Sequence, residues 1–210
     1  MRKAVISLVS LVMVGISFAQ GYQFAGLEYG SNPSTVEDVL NDRGYSFLAE
    51  FEGVRVYEGT MLDHPVFVGP MYDDYNRLET VTVNFYINGE DIVQRDAVLI
   101  DLYDQLTAVI TERYGAPFLG EPLPHLDGKV DDTRLKEDGV LAHQTWVSLA
   151  SAMSGTPDGL TLIVMRGDER DTQVFRGGAT ATPDDVMLSL GYMGDPSSGK
   201  FDTGTGVDDL

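Results

Sequence analysis

Thr80-Val81-Thr82-Val83-Asn84-Phe85-Tyr86-Ile87 has the two-residue period of a β-strand. Val81, Val83, Phe85 and Ile87 fall on one side, and Thr80, Thr82, Asn84 and Tyr86 on the other. Such alternation belongs to an antiparallel sheet with one covered and one open face. The apolar side therefore needs a second layer.

Immediately downstream, Asn88-Gly89-Glu90-Asp91 introduces a long helix from about residue 92 to 114, with acidic residues at its positive end. Its apolar stripe is Leu99, Leu102, Tyr103, Leu106, Val109 and Ile110, and it stops at Gly115 with Pro117 beyond. Upstream, Ser34 reads as the cap of a helix over 34–43, with Glu37 reaching back and Gly44 in the left-handed closing position. Val36, Val39 and Leu40 share one face of it. Between the helices, 45–51, 54–58, 65–68 and 77–87 read as a meander of strands, and 24–29 as a short opening strand closed by Gly30-Ser31-Asn32-Pro33.

Beyond the long helix, 118–139 is rich in Pro, Asp and Gly and reads as a long exposed loop. Strands are expected at 144–149, 160–165 and 172–175, the last two joined as a hairpin across Gly167-Asp168-Glu169-Arg170. Thr182-Pro183-Asp184-Asp185 has the grammar of a helix start, so a short helix is placed over 183–190. The remainder is Gly, Ser, Thr and Asp, too poor in apolar surface to offset ordering entropy. The expected organisation is a signal segment at 1–19, a single α+β domain at 20–177 and an acidic tail at 178–210. The expected architecture is a two-layer sandwich, an antiparallel sheet with both helices on one face, and its order suggests a repeated helix-plus-meander unit.

The N-terminal segment reads as an export signal. Arg2 and Lys3 precede an apolar run from Ala4 to Ile16, followed by Ser17-Phe18-Ala19, a small-x-small cleavage site ahead of Gln20. The run is shorter than the roughly 20 residues that a spanning helix needs. Cleavage after Ala19 predicts a periplasmic or extracellular protein without a membrane span. It also removes two of the 14 basic residues, which moves the formal charge from −19 to −21. So acidic a chain repels phosphate backbones, which argues against nucleic acid and favours a basic partner. The chain has no cysteine, which excludes disulfides, thiolate metal sites and thiol catalysis.

Gly30-Ser31 ahead of Ser34-Thr35-Val36-Glu37-Asp38-Val39-Leu40 and Gly44, followed by a meander, resembles small exported two-layer domains of the outer-membrane-assembly lipoprotein (BamE-like) and β-lactamase-inhibitor-protein type. Arg113-Tyr114-Gly115-Ala116-Pro117 is similar to the second-helix ending common among exported bacterial domains. The resemblance covers residues 22–117 and implies binding or assembly rather than catalysis. It transfers no catalytic residue, and the absence of a cysteine after the signal departs from the lipoprotein pattern.

No catalytic grammar emerges from the rest of the chain. His64, His125 and His143 lack the spacing that puts two metal ligands on one helical face. His64 and His125 sit beside prolines as turn or surface residues, and His143 is expected on the sheet surface near Trp146. No G-x-S-x-G element is present, and Gly177-Gly178 and Gly204-Thr205-Gly206 lack the setting of a phosphate loop. Asp127, Asp131 and Asp132 around Gly128 give calcium its one case, but their spacing differs from the twelve-residue calcium loop, so no cofactor or metal is assigned. The candidate interaction surface is Tyr72, Asp73, Asp74 and Tyr75, a hairpin tip, with Thr80, Thr82, Asn84 and Tyr86 on the open face. The expected function is an exported, non-enzymatic binding or envelope-assembly domain. The alternative is a secreted hydrolase using carboxylates that sequence alone does not reveal.

Overall fold

The computed structural model describes residues 22–51, 53–133, 137, 139–147, 158–167, 182 and 184–194. The expected signal segment, the strand at 172–175 and the terminal residues after 194 lie outside these.

Helix α1 spans Pro33–Asp42. Its cap is Asn32 rather than Ser34: Asn32 Oδ1 accepts the Thr35 amide at 3.0 Å, and Pro33, which has no amide to satisfy, occupies the first turn. Glu37 does not close a capping box but pairs with Arg55 through two hydrogen bonds of 2.6 and 3.0 Å, tying α1 to the sheet. Gly44, at φ 85°, takes the left-handed position as expected.

The meander follows as β1 (Ser46–Phe51), β2 (Val54–Met61), β3 (His64–Tyr72) and β4 (Leu78–Ile87), all antiparallel. Helix α2 spans Ile92–Tyr114, capped by Asp91, whose carboxylate accepts the amides of Val93 and Gln94. It buries Leu99, Leu102, Tyr103, Leu106 and Ile110, while Val109 is partly buried. The remaining strands are β5 (Leu119–Glu121), β6 (His125–Leu126), β7 (Lys129–Val130), β8 (Val140–Val147), β9 (Gly159–Arg166) and β10 (Val186–Met193).

The main sheet has eight strands in the order β1-β2-β3-β4-β10-β9-β8-β5, and β6 and β7 form a separate hairpin. Read inward from the two edges, the order is β1-β2-β3-β4 on one side and β5-β8-β9-β10 on the other. Each half is one helix followed by four strands of the sheet, and the last strands of the two halves pair at the centre. Val36 and Leu40 of α1, the α2 stripe and the inward residues of the sheet, including Val81, Val83 and Phe85, form one buried cluster. The α+β two-layer reading therefore holds.

Three assignments are corrected. Residues 24–29 form no strand: Leu27 donates to the Phe24 carbonyl at 2.9 Å, and Ala25 and Gly26 adopt φ 51° and 72° in a tight turn. The apolar residues that suggested a strand, Phe24, Leu27 and Tyr29, are instead buried as a plug. The loop at 118–139 is not simply exposed, because it contains β5, paired to β8, and the β6–β7 hairpin. Finally, the helix expected over 183–190 is absent from its described residues, 184–190. Val186–Met193 is β10, a central strand paired over eight residues with β4 and eight with β9. Its neighbours also settle the partners of β9, whose two sides are taken by β8 and β10.

Candidate binding surfaces

The open face runs across the centre of the sheet. One cross-strand row places Gly69 beside Thr82, Thr82 beside Gly191, Gly191 beside Thr161 and Thr161 beside Thr145. The next row runs from Phe67 through Asn84, Ser189 and Ile163 to His143. Successive residues of a strand point to opposite faces, and Val83, Leu190 and Leu162 between these rows are buried in the core. Gly69 is buried, and the other outward residues of these rows are half-buried. Thr82 Oγ1 donates to the Gly69 carbonyl at 3.1 Å, and Thr145 Oγ1 lies 3.0 Å from His143 Nε2 and 3.4 Å from Thr161 Oγ1. A Cβ built on Gly191 meets nothing within 4 Å, so the middle of this face is open at that point.

The expected site residues do not all belong here. Thr80, Thr82 and Asn84 lie on the face as anticipated. Tyr86 shares it, but its hydroxyl donates to Asp185 Oδ2 at 2.5 Å, so it is a structural anchor as well as a surface residue. Tyr72 is separated from them: it follows exposed Met71 on β3 and, by the strand's alternation, lies on the side of Val66 and Val68, packed against the core cluster. Burial pushes the Tyr72 phenol up, well above its ordinary range.

At the hairpin tip, Asp73 holds the turn together. Its carboxylate accepts the amides of Tyr75 and Arg77, both at 2.9 Å, and the Arg77 Nε at 2.8 Å. Desolvation opposes ionisation of Asp73, but the hydrogen bonds from Arg77 and Tyr75 prevail and hold it below the usual carboxylate range. Asp74 is exposed, and Tyr75 is 79% exposed with the Arg77 guanidinium 5.2 Å from its ring centroid. Tyr75 and Asp74 thus remain available for contact, while Asp73 is committed to the turn.

A third feature was not legible in the sequence motifs. At the end of the sheet beside the α2 N-terminus, Arg95 is buried with Asp96. The Arg95 guanidinium donates to Asp96 Oδ1, to both oxygens of Asp132 at 2.9 and 3.1 Å, and to the Asp184 carbonyl at 3.1 Å. Asp96 Oδ2 accepts the Val130 amide at 3.0 Å. Burial works against the charge on Arg95, but its hydrogen bonds to Asp96 and Asp132 raise its pKa overall. Asp185, fully buried nearby, accepts the Gly89 amide at 2.7 Å and the Thr182 amide at 2.8 Å besides Tyr86. A cavity of about 320 Å³ opens beside this network.

The residues considered for calcium are divided by the fold. Asp127 and Gly128, at φ 52° and 76°, make the β6–β7 turn; Asp131 Oδ1 accepts the Thr133 amide at 3.0 Å; Asp132 is engaged by Arg95. Among the described residues, no three His, Asp or Glu side chains converge in a metal-holding arrangement. His143 does face the open surface, whereas Trp146 lies on the opposite, buried face and donates its Nε1 hydrogen to the Gly115 carbonyl at 3.0 Å. No described helix is long and apolar enough to cross a membrane. In comparisons with known proteins, no family model, no curated protein and no solved structure matches the chain.

Proposed function

We propose that this chain is an exported, non-catalytic binding or envelope-assembly domain that engages a basic protein or envelope component through its open sheet face. The observation that carries this reading is the unfilled space above Gly191, flanked by Thr82 and Thr161, at the middle of an eight-stranded sheet whose other face is occupied by the core. Hydroxyl and amide groups there supply hydrogen bonds, and Phe67, Ile163 and Met187 supply apolar contact. The formal charge of −19 attracts a basic partner at long range. Export is supported by the Arg2-Lys3 start, the apolar run to Ile16 and the Ser17-Phe18-Ala19 site.

Gly191→Arg tests the face directly. The new side chain enters open space on an extended strand, so the thermal melt should stay near that of the parent while capture of the envelope partner is lost. Capture should also weaken as salt shortens the Debye length toward about 8 Å at physiological ionic strength. Unchanged capture by Gly191→Arg, or turnover of a substrate in a hydrolase panel, would overturn the proposal. Mass spectrometry of exported protein should find Gln20 at the N-terminus, and an intact Met1 would refute processing after Ala19.

A further inference from the structure

We propose that Asn88 is a latent deamidation site, held closed in the folded chain by Asp185 and converted to aspartate and isoaspartate when the entry of β10 releases the connection between β4 and α2. The chain has five asparagines, and Asn88 is the one followed by glycine. Such a pair is chemically labile, because glycine has no side chain to shield its amide nitrogen or to restrict the backbone. In the reaction the Gly89 nitrogen attacks Asn88 Cγ, a new C–N bond forms, and the bond from Cγ to Nδ2 breaks. The Gly89 N–H proton leaves with Nδ2 as ammonia. Water then opens the cyclic succinimide, giving aspartate by attack at Cγ or isoaspartate by attack at the main-chain carbonyl carbon.

The folded protein closes this route at both reacting atoms. Asn88 is exposed, so water reaches it, but Gly89 is buried and its N–H donates to Asp185 Oδ1 at 2.7 Å. To attack, the nitrogen must give up that proton, and the developing amide anion would face a carboxylate where charge is poorly screened. It must also turn toward Cγ, which the packing opposes. A Cβ built on Gly89 would lie 2.2 Å from the Asp184 carbonyl carbon and 2.6 Å from the Asp185 nitrogen, so the two main-chain segments are in close contact. On the other side of the reaction, Asn88 Oδ1 accepts the Glu90 amide at 2.8 Å, an Asx turn that pins the side-chain carbonyl. Taken alone, that bond would draw electrons from Cγ and assist attack. The immobilised nitrogen prevails, because nothing attacks without it.

The latch is tertiary. Asp185 lies 96 residues from Gly89 in the chain, and it also accepts from Tyr86 and Thr182. Asn88 therefore reacts only when the entry of β10 parts from the connection, a local opening that leaves the rest of the fold in place. Conversion is one-way. Isoaspartate lengthens the main chain by one carbon, and either product adds a negative charge next to Glu90 and Asp91. The chain thus keeps a chemical record of that opening, whatever the open face binds.

The experiment incubates the processed protein in mildly alkaline buffer beside a peptide of residues 86–94 as the unrestrained reference. Asn88 is followed by mass spectrometry of proteolytic fragments that separates the asparagine, aspartate and isoaspartate forms. The folded protein should convert at least roughly tenfold more slowly than the peptide, since a hydrogen bond to a charged acceptor holds an opening down by about that factor. Asp185→Ala, which removes the acceptor, and Tyr86→Phe, which removes one of its donors, should each speed conversion by roughly tenfold. Leu106→Ala, a core truncation in the middle of α2, should leave the rate at the parent value. Conversion of the folded parent at the peptide's rate overturns the protected site. A parent-like rate in Tyr86→Phe, or in folded Asp185→Ala, overturns Asp185 as the latch, and Tyr86→Phe decides the point alone should Asp185→Ala fail to fold. Acceleration by Leu106→Ala as large as that by Tyr86→Phe shows that conversion passes through global unfolding, which overturns the local release.

Discussion

The Tyr86 hydroxyl donates a 2.5 Å hydrogen bond to Asp185 Oδ2, across 99 residues of sequence. It joins the end of β4 to the entry of β10, the two strands that meet at the centre of the sheet. Asp185 also accepts the Gly89 amide at the start of the connection to α2. One buried carboxylate thus sets the register at which the two halves of the chain come together.

Tyr86→Phe removes the hydroxyl and keeps the ring. Because the acceptor is a buried carboxylate, the expected cost is about 1.5–3 kcal/mol in urea unfolding. A loss within about 0.5 kcal/mol, the range of an ordinary surface change, would show that the bond contributes little.

The acid limb of stability follows from the same group. Burial alone would raise the Asp185 pKa, but hydrogen bonds from Tyr86, Gly89 and Thr182 outweigh it and hold the folded value below the ordinary one. A depressed carboxyl contributes stability that is present above its unfolded value, about 3.9 for aspartate, and is lost as pH falls through the folded value. The stability gap between the parent and Asp185→Asn should therefore narrow steadily below about pH 4. Parallel pH profiles for the two proteins would contradict this assignment.

Arg95→Met leaves Asp96 and Asp132 without their cation in a largely buried setting. Breaking such a pair costs about 3–5 kcal/mol. Adding Asp132→Asn should recover part of the loss, since the two residues share one interaction. Strict additivity in a double-mutant cycle would refute their coupling.

Leu190 of β10 and Leu106 of α2 are both fully buried. Truncation of either to Ala should cost about 2–5 kcal/mol. A chain ending before Val186 should lose cooperative unfolding, because β4 and β9 would each lose their partner in the middle of the sheet. Retention of a native melt by that truncated chain would return β10 to the status of a tail.

Strong local periodicity made both helices and the meander legible. The Thr80 to Ile87 alternation, the Leu99 to Ile110 stripe and Gly44 and Gly115 each satisfy a local rule that the fold keeps. The open-face positions Thr80, Thr82 and Asn84 came from the same alternation. In β10 two local signals conflicted. Thr182-Pro183-Asp184-Asp185 reads as a helix start, while Val186, Leu188, Leu190 and Tyr192 already alternate with Met187, Ser189, Gly191 and Met193 as a strand. Distant groups resolve the conflict: Asp185 accepts from Tyr86 and Gly89, and β4 and β9 offer two strand edges.

The sequence by itself determined what depends on neighbours in the chain: helix stripes and stops, one covered and one open sheet face, the acidic charge and the absence of cysteine. Tertiary structure alone decided which strands meet, that β4 and β10 close the sheet between mirrored halves, and that Arg95, Asp96 and Asp132 converge beside a cavity. The physical reason is range. Capping and amphipathic periodicity act within a few residues, whereas strand pairing and buried ion pairs join groups far apart in the chain, such as Thr80 and Met193, and their partners exist only once the chain has folded.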